Sequence, residues 1–190
     1  MEAKIELRRA IKERLSHVSA KQRETESRIM CRTLEKLLTR EHMTITGYVP
    51  FADEPDIVPF LHSALEKGHT VLLPAIENNA LVFRAVKSIE EATKNPITNL
   101  MEPPTSTPVY DRVKIDLVIT PGRAFTREGL RMGRGNGGYD HWIHGQRTIN
   151  PATRYIGICF ECQLVSDLPV EPHDEKVDGV VTDRGLINVR

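Results

Sequence analysis

The segment GLRMGRGNGGYDHWI, residues 129 to 143, holds five glycines, two arginines, one asparagine and one aspartate. Glycine loses the most backbone entropy on folding and tolerates φ > 0, so such a cluster marks a tight turn or a close backbone approach. The chemistry it suits is anion binding. Exposed N–H groups from Gly133 to Gly138, the cations Arg131 and Arg134, and a helix expected to start near Asp140 make a positive, donor-rich concavity for phosphate. A flexible surface connection is the other reading. The string GRGNGG matches the dinucleotide-binding pattern, but the strand expected before it ends near Pro121, about a dozen residues upstream. No Lys-Ser or Lys-Thr follows the glycines, as a P-loop requires. A generic polyphosphate cradle remains.

Five positions carry further groups suited to the same task. Lys4 and Arg8, four residues apart on a predicted helix, project from one face and can reach a shared anion, or simply form a solvated basic face with Arg9 and Lys12. Glu54, in FADEPD, follows a predicted strand and lies where α/β sheets place ligands; it also fits an acidic loop before a helix. Asp140 and Asp174 suit magnesium, which is held by one or two carboxylates plus substrate phosphates, or else a helix end and a charged turn. Cys159 and Cys162 read as buried small hydrophobes: on a strand they point to opposite faces, and no second pair exists for zinc. His141 and His144, without a third ligand, read as surface groups.

The elements that must position these residues follow from periodicity. Residues 3 to 15 form a helix, with Ile5, Leu7, Ile11 and Leu15 near helical spacing, and Ser19 with Gln22 opens a second helix toward Thr39 as a capping box. TITGYV (44 to 49) is a strand, 56 to 68 a helix with Pro59 in its first turn and Gly68 past its end, and 70 to 76 a strand, which makes one β-α-β unit. Strands at 81 to 86 and 113 to 121 flank a proline-rich span. The glycine loop, a helix near 140 to 147, a strand at 154 to 160 and one or two closing strands complete the chain. The predicted fold is a single α/β domain over residues 1 to 190, its largely parallel sheet flanked by helices, with residues 1 to 40 as a helical N-terminal segment packed on it.

Composition excludes some classes of function. The 26 basic and 26 acidic residues cancel, which argues against a broad footprint for nucleic acid or an anionic membrane. No run approaches 18 apolar residues, the length of a membrane span. Three cysteines in a chain large enough to fold without disulfides suit a reducing compartment. The opening MEAKIELRRAIKERL carries Glu2, Glu6 and Glu13, unlike a secretion or transit signal. A cytoplasmic, monomeric protein is expected.

Taken in order, Lys4-x-x-x-Arg8, GYVPFADEPD, LLPAI, the LMEP loop at 100 to 103, IDLVITPGRAFTREGLRMGRGNGGYD and ICFECQLVSDLPVEPHDEKVDGVVTD resemble the 5-formyltetrahydrofolate cyclo-ligase (5,10-methenyltetrahydrofolate synthetase) family. The resemblance implies an enzyme that uses ATP with Mg2+ to join the formyl group on nitrogen 5 of a reduced folate to nitrogen 10. Phosphorylation of the formyl oxygen would precede attack by nitrogen 10. By matching positions it implies that Lys4 and Arg8 contact phosphate and that Arg131, Met132, Gly133, Arg134, Gly135, Asn136, Gly137, Gly138 and Tyr139 form the ATP loop. Arg134, with Lys4, would act on the transferred phosphoryl group. Val49 and Glu54 would bind folate, together with Arg8, Arg134 and Gly135 to Gly138, and Asp140 and Asp174 would hold the metal. The family usually ends this loop Gly-Tyr-Tyr-Asp, whereas here Gly138 replaces the first aromatic ring. That departure keeps an alternative open: an ATP-dependent paralogue acting on another small formylated or carboxylated metabolite. A non-catalytic nucleotide-binding or nucleic-acid-associated module is the further alternative.

Overall fold

Alternation of apolar side chains along the central strands decides which helices cover which face of the sheet. A computed structural model describes residues 2–135 and 137–189. Its helices are α1 (Glu2–Ser16), α2 (Ala20–Glu35), α3 (Val58–Glu66) and α4 (Gly138–Ile149). The main strands are β1 (Thr44–Thr46), β2 (Thr70–Glu77) and β3 (Ala80–Val86), then β6 (Leu117–Thr120), β9 (Arg154–Ile158), β10 (Gly179–Thr182) and β11 (Gly185–Asn188). Two short hairpins, β4 (Thr93–Lys94) with β5 (Met101–Glu102) and β7 (Ala124–Phe125) with β8 (Arg131–Met132), stand apart. The seven main strands run in the order β11-β10-β9-β6-β1-β2-β3. The inner five are parallel, and β3 and β11 close the edges antiparallel.

On one face Ile45, Leu117, Ile119, Ile156 and Val181 pack with Ile11, Leu15, Met30, Leu34, Phe60 and Leu61, so α1, α2 and α3 cover it. Leu72, Val118, Tyr155 and Val180 point the other way and meet Trp142 and Ile143 of α4. Each fully buried side chain of this kind contributes about 1.5–3 kcal/mol. The connection through α3 leads from β1 to β2, and that through α4 leads from β6 to β9 in the opposite direction. The strand order therefore reverses between β1 and β6, the place where a parallel sheet opens a crevice beyond its carboxyl ends.

Several local expectations need correction. The strand predicted at 44 to 49 ends at Thr46: a Cβ on Gly47 would lie 2.5 Å from Leu61 Cδ2, and the chain turns away to deliver Tyr48 and Val49 to the crevice. The strand predicted at 113 to 121 is only Leu117–Thr120, preceded by a 3-10 turn at Arg112–Lys114 in which the Asp111 side chain accepts Val113 N–H. The second helix stops at Glu35, short of Thr39. Ser19 accepts from Gln22 N–H, but the Gln22 side chain donates to Glu26, so only half the capping box forms. Ile5 is 60% exposed because the first turn of α1 lies outside the core that receives Ile11 and Leu15. The strand at 154 ends at Ile158, leaving Cys159 just beyond it and Cys162 in a separate 3-10 turn. The thiols pack in different core clusters. Among the described residues no helix is long and apolar enough to cross a membrane.

Candidate active site

The crevice beyond β1 and β6 is one cavity. Its walls include Tyr48 and Val49 after β1, Pro74 and Ile76 on β2, Pro121 and Gly122 after β6, and residues of the glycine loop. The hairpin β4–β5 brings Leu100 and Met101 over it. Glu102 fixes that hairpin by accepting Ile76 N–H and the Asn95 and Thr98 side chains. Lys4 and Arg8 enter from α1.

The loop is shaped by two glycines in conformations that other residues adopt only with strain: Gly135 at φ 114 and Gly137, the N-cap of α4, in the left-handed region at φ 66. Gly138 opens α4, two residues earlier than the sequence suggested. Beneath, Phe125 fills the space that Cβ atoms on Gly122 and Gly157 would need, at 2.6 and 2.3 Å. Arg8 closes the loop from the helix side. Its Nε donates to Gly133 O at 3.0 Å, and its guanidinium carbon lies 3.6 Å from a Cβ position on Gly135. The helix and the loop are thus brought together through Arg8.

The two loop arginines face different ways. Arg131 is buried, its Nη2 2.6 Å from Asp140 Oδ1 and its guanidinium 5.7 Å from the Tyr139 ring. Asp140 also accepts Glu175 N–H at 3.2 Å. Arg134 instead turns toward the loop after β1. Its Nε and Nη2 donate to Glu54 Oε1 at 3.1 and 2.8 Å, its Nη2 donates to Asp53 Oδ1 at 2.8 Å, and its guanidinium lies over the Phe51 ring at 4.2 Å. Burial opposes its charge, yet Glu54 and Asp53 more than compensate and strengthen its hold on the proton. Arg123 binds the other oxygen of Asp53. Met132, Gly133, Gly137, Gly138 and Tyr139 line the cavity, and Tyr139 buries its hydroxyl without a partner. Asn136 lies outside the described residues.

Lys4 Nζ is 2.7 Å from both Asp174 Oδ2 and Glu171 Oε2. Burial weakens the ammonium, but the two carboxylates prevail and hold its pKa above the ordinary value. Ligand atoms of Glu171, His173 and Asp174 lie within 4.8 Å of one another. Glu171 and Asp174 converge their oxygens on the Lys4 ammonium, and Asp140 lines the same cavity; carboxylate oxygens are the donors that magnesium takes alongside phosphate. The residues fit such an ion.

Sequence reasoning did not single out Asp53, Arg123, Phe51, Glu171 or His173. Arg123 carried a usable signal, since it follows β6 at the carboxyl end of the sheet as Glu54 follows β1. His141 and His144 are exposed on α4, as expected, and His144 meets Glu175 at 2.9 Å.

A doubly wound sheet with a cation-lined glycine loop at its switch point defines a class, that of α/β proteins built to hold an anionic ligand beside an apolar slot. More narrowly, a sequence model of the 5-formyltetrahydrofolate cyclo-ligase family matches residues 1–183, and the chain belongs to that family of ligases. It is 31% identical over 155 residues to the 5-formyltetrahydrofolate cyclo-ligase of Mycolicibacterium smegmatis, covering 77% of each chain. Identity to the Escherichia coli K12 enzyme of the same name is 31% over 143 residues, 73% of this chain and 77% of that one. The fold matches the structure of Aquifex aeolicus 5,10-methenyltetrahydrofolate synthetase with a TM-score of 0.81 at 24% identity, covering 98% of this chain and 93% of that one. The Mycoplasma pneumoniae synthetase matches with a TM-score of 0.75 at 20% identity, covering 95% and 98%.

Proposed function

We propose that this chain converts 5-formyltetrahydrofolate to 5,10-methenyltetrahydrofolate at the expense of ATP, with Mg2+ as cofactor. The observation that carries this reading is the meeting of two unlike half-sites in one cavity. Lys4, Arg8 and the glycine loop supply cations and backbone donors, while Glu54 stands beside the apolar Tyr48, Val49, Ile76 and Met101.

An amide-like formyl oxygen is a poor leaving group. Transfer of the γ-phosphoryl group to that oxygen makes it a good one. Nitrogen 10 then attacks the formyl carbon and loses its proton, the carbon–oxygen bond breaks, and the oxygen departs with phosphate, leaving ADP. Such chemistry needs alignment and charge stabilisation more than a protein nucleophile. Lys4 and Arg8 bind the phosphates from α1, the amides of Gly133 to Gly138 orient them, and Arg134 stabilises the transferred group. Glu54, acceptor-only when ionised, takes N–H groups of the pterin, with Val49 at its edge. Asp140 and Asp174 would hold magnesium, which when bound neutralises phosphate oxygens. Charge balance and three free cysteines support a cytoplasmic setting.

Incubation of the protein with ATP, Mg2+ and 5-formyltetrahydrofolate should raise the near-ultraviolet absorbance of the methenyl product. Thermal stabilisation by ATP but by no reduced folate, without turnover, would instead favour another formylated or carboxylated substrate.

A further inference from the structure

Resting on that functional reading, the contacts of Arg134 point to a step it does not contain. That reading gives Glu54 and Arg134 different ligands, yet in the structure they bind each other. Glu54 Oε2 accepts Phe51 N–H at 3.0 Å and Oε1 accepts two N–H groups of Arg134. A carboxylate offers about four acceptor positions, and three are taken. A pterin donating from both its amino group and a ring nitrogen places one N–H on each oxygen; Oε2 has room beside Phe51, whereas Oε1 already holds two N–H groups, so at least one Arg134 bond must break.

Asp53 is different. It uses Oδ1 for Arg134 and Oδ2 for Arg123, whose backbone is tied into the glycine-loop hairpin through Arg123 N–H to Met132 O at 2.7 Å. The proposed function assigns neither oxygen a folate contact. The turn that carries both acids is itself anchored, because Arg23 of α2 donates to Ala52 O at 2.7 Å and to Leu15 O of α1 at 2.5 Å.

We propose that Asp53, fixed by Arg123, is a positioning residue that retains Arg134 while the arriving folate takes Glu54, and that this exchange turns the freed side of Arg134 toward the triphosphate. Folate binding then strengthens nucleotide binding, and by linkage the reverse holds by the same factor.

The experiment titrates the full chain with a non-hydrolysable ATP analogue and Mg2+ in a calorimeter, with and without saturating 5-formyltetrahydrofolate. The wild-type protein should bind the analogue about fivefold or more tightly when folate is present. Glu54→Gln should bind it more tightly than wild type without folate, because an uncharged amide oxygen holds Arg134 more weakly, and should gain nothing when folate is added. Asp53→Asn should keep each single affinity near its wild-type value while losing the coupling. Equal analogue affinity with and without folate in a wild-type protein that turns over would overturn the exchange and leave the functional reading standing. Absence of any folate binding would remove both.

Discussion

Lys4 Nζ lies 2.7 Å from Asp174 Oδ2 although 170 residues separate them, so the first helix and the segment before β10 share one ion pair at the mouth of the cavity. The pair fixes α1 over the glycine loop, and it holds a cation where the proposed function has phosphate bind. Lys4→Ala should therefore raise the KM for ATP roughly tenfold or more, the loss of one charge-assisted contact of about 1.5–3 kcal/mol. The KM for folate should change little. Steady-state kinetics with each substrate varied in turn provides the check; an unchanged KM for ATP would leave Lys4 with a structural task alone.

Arg134→Ala removes the guanidinium assigned to the transferred phosphoryl group. Loss of one preorganised charge stabiliser typically lowers turnover about 10²- to 10³-fold. Arg134→Lys should restore little of that, because an ammonium cannot hold Asp53 and reach the transferred phosphoryl group with the same fork. Turnover at saturating ATP and folate decides it, and a rate within twofold of wild type would exclude Arg134 from the chemistry.

How far the sequence reached is clearest from Arg131 and Arg134. Their types and the glycines around them suggest an anion loop, and the loop lines one cavity with Lys4 and Arg8. Their directions were not legible. Whether an arginine turns inward to Asp140 or outward to Glu54 depends on the hairpin β7–β8, two residues on each strand, which is too short to give a periodic signal. The seven-stranded order was likewise invisible: alternation identifies strands and their faces, but the reversal between β1 and β6 arises from the two crossovers lying on opposite faces. Glu54 was found because it follows a strand. Asp53, one residue earlier, has its significance only through Arg123 and Arg134, which are 70 and 81 residues distant.

Arg131 and Asp140 form a pair whose side chains are 3% and 11% exposed. Removing one partner strands a buried charge, so Asp140→Ala should cost about 3–5 kcal/mol of stability in urea unfolding. Asp140→Asn, which keeps the shape, should cost less and should raise the magnesium concentration needed for half-maximal turnover. Wild-type magnesium dependence in that variant would assign the carboxylate wholly to Arg131.

Asp53 supplies a pH test. Burial opposes its ionisation, but Arg123 and Arg134 more than offset this and hold its carboxyl below the ordinary value of 3.8. A folded value below the unfolded one gives stability that is complete above the unfolded value and is lost as pH falls through the folded one. The wild-type protein should lose stability on acidification below about pH 4, and Asp53→Asn should lose less across the same interval. Urea midpoints between pH 6 and pH 3 measure the difference, and parallel curves would show that Asp53 has no such linkage.

The destination of the formyl oxygen tests the mechanism most directly. With 5-formyltetrahydrofolate labelled with oxygen-18 in its formyl group, ATP and Mg2+, mass spectrometry of the inorganic phosphate should find one labelled oxygen for each methenyl product formed. Methenyl product accompanied by unlabelled phosphate would contradict phosphorylation of the formyl oxygen.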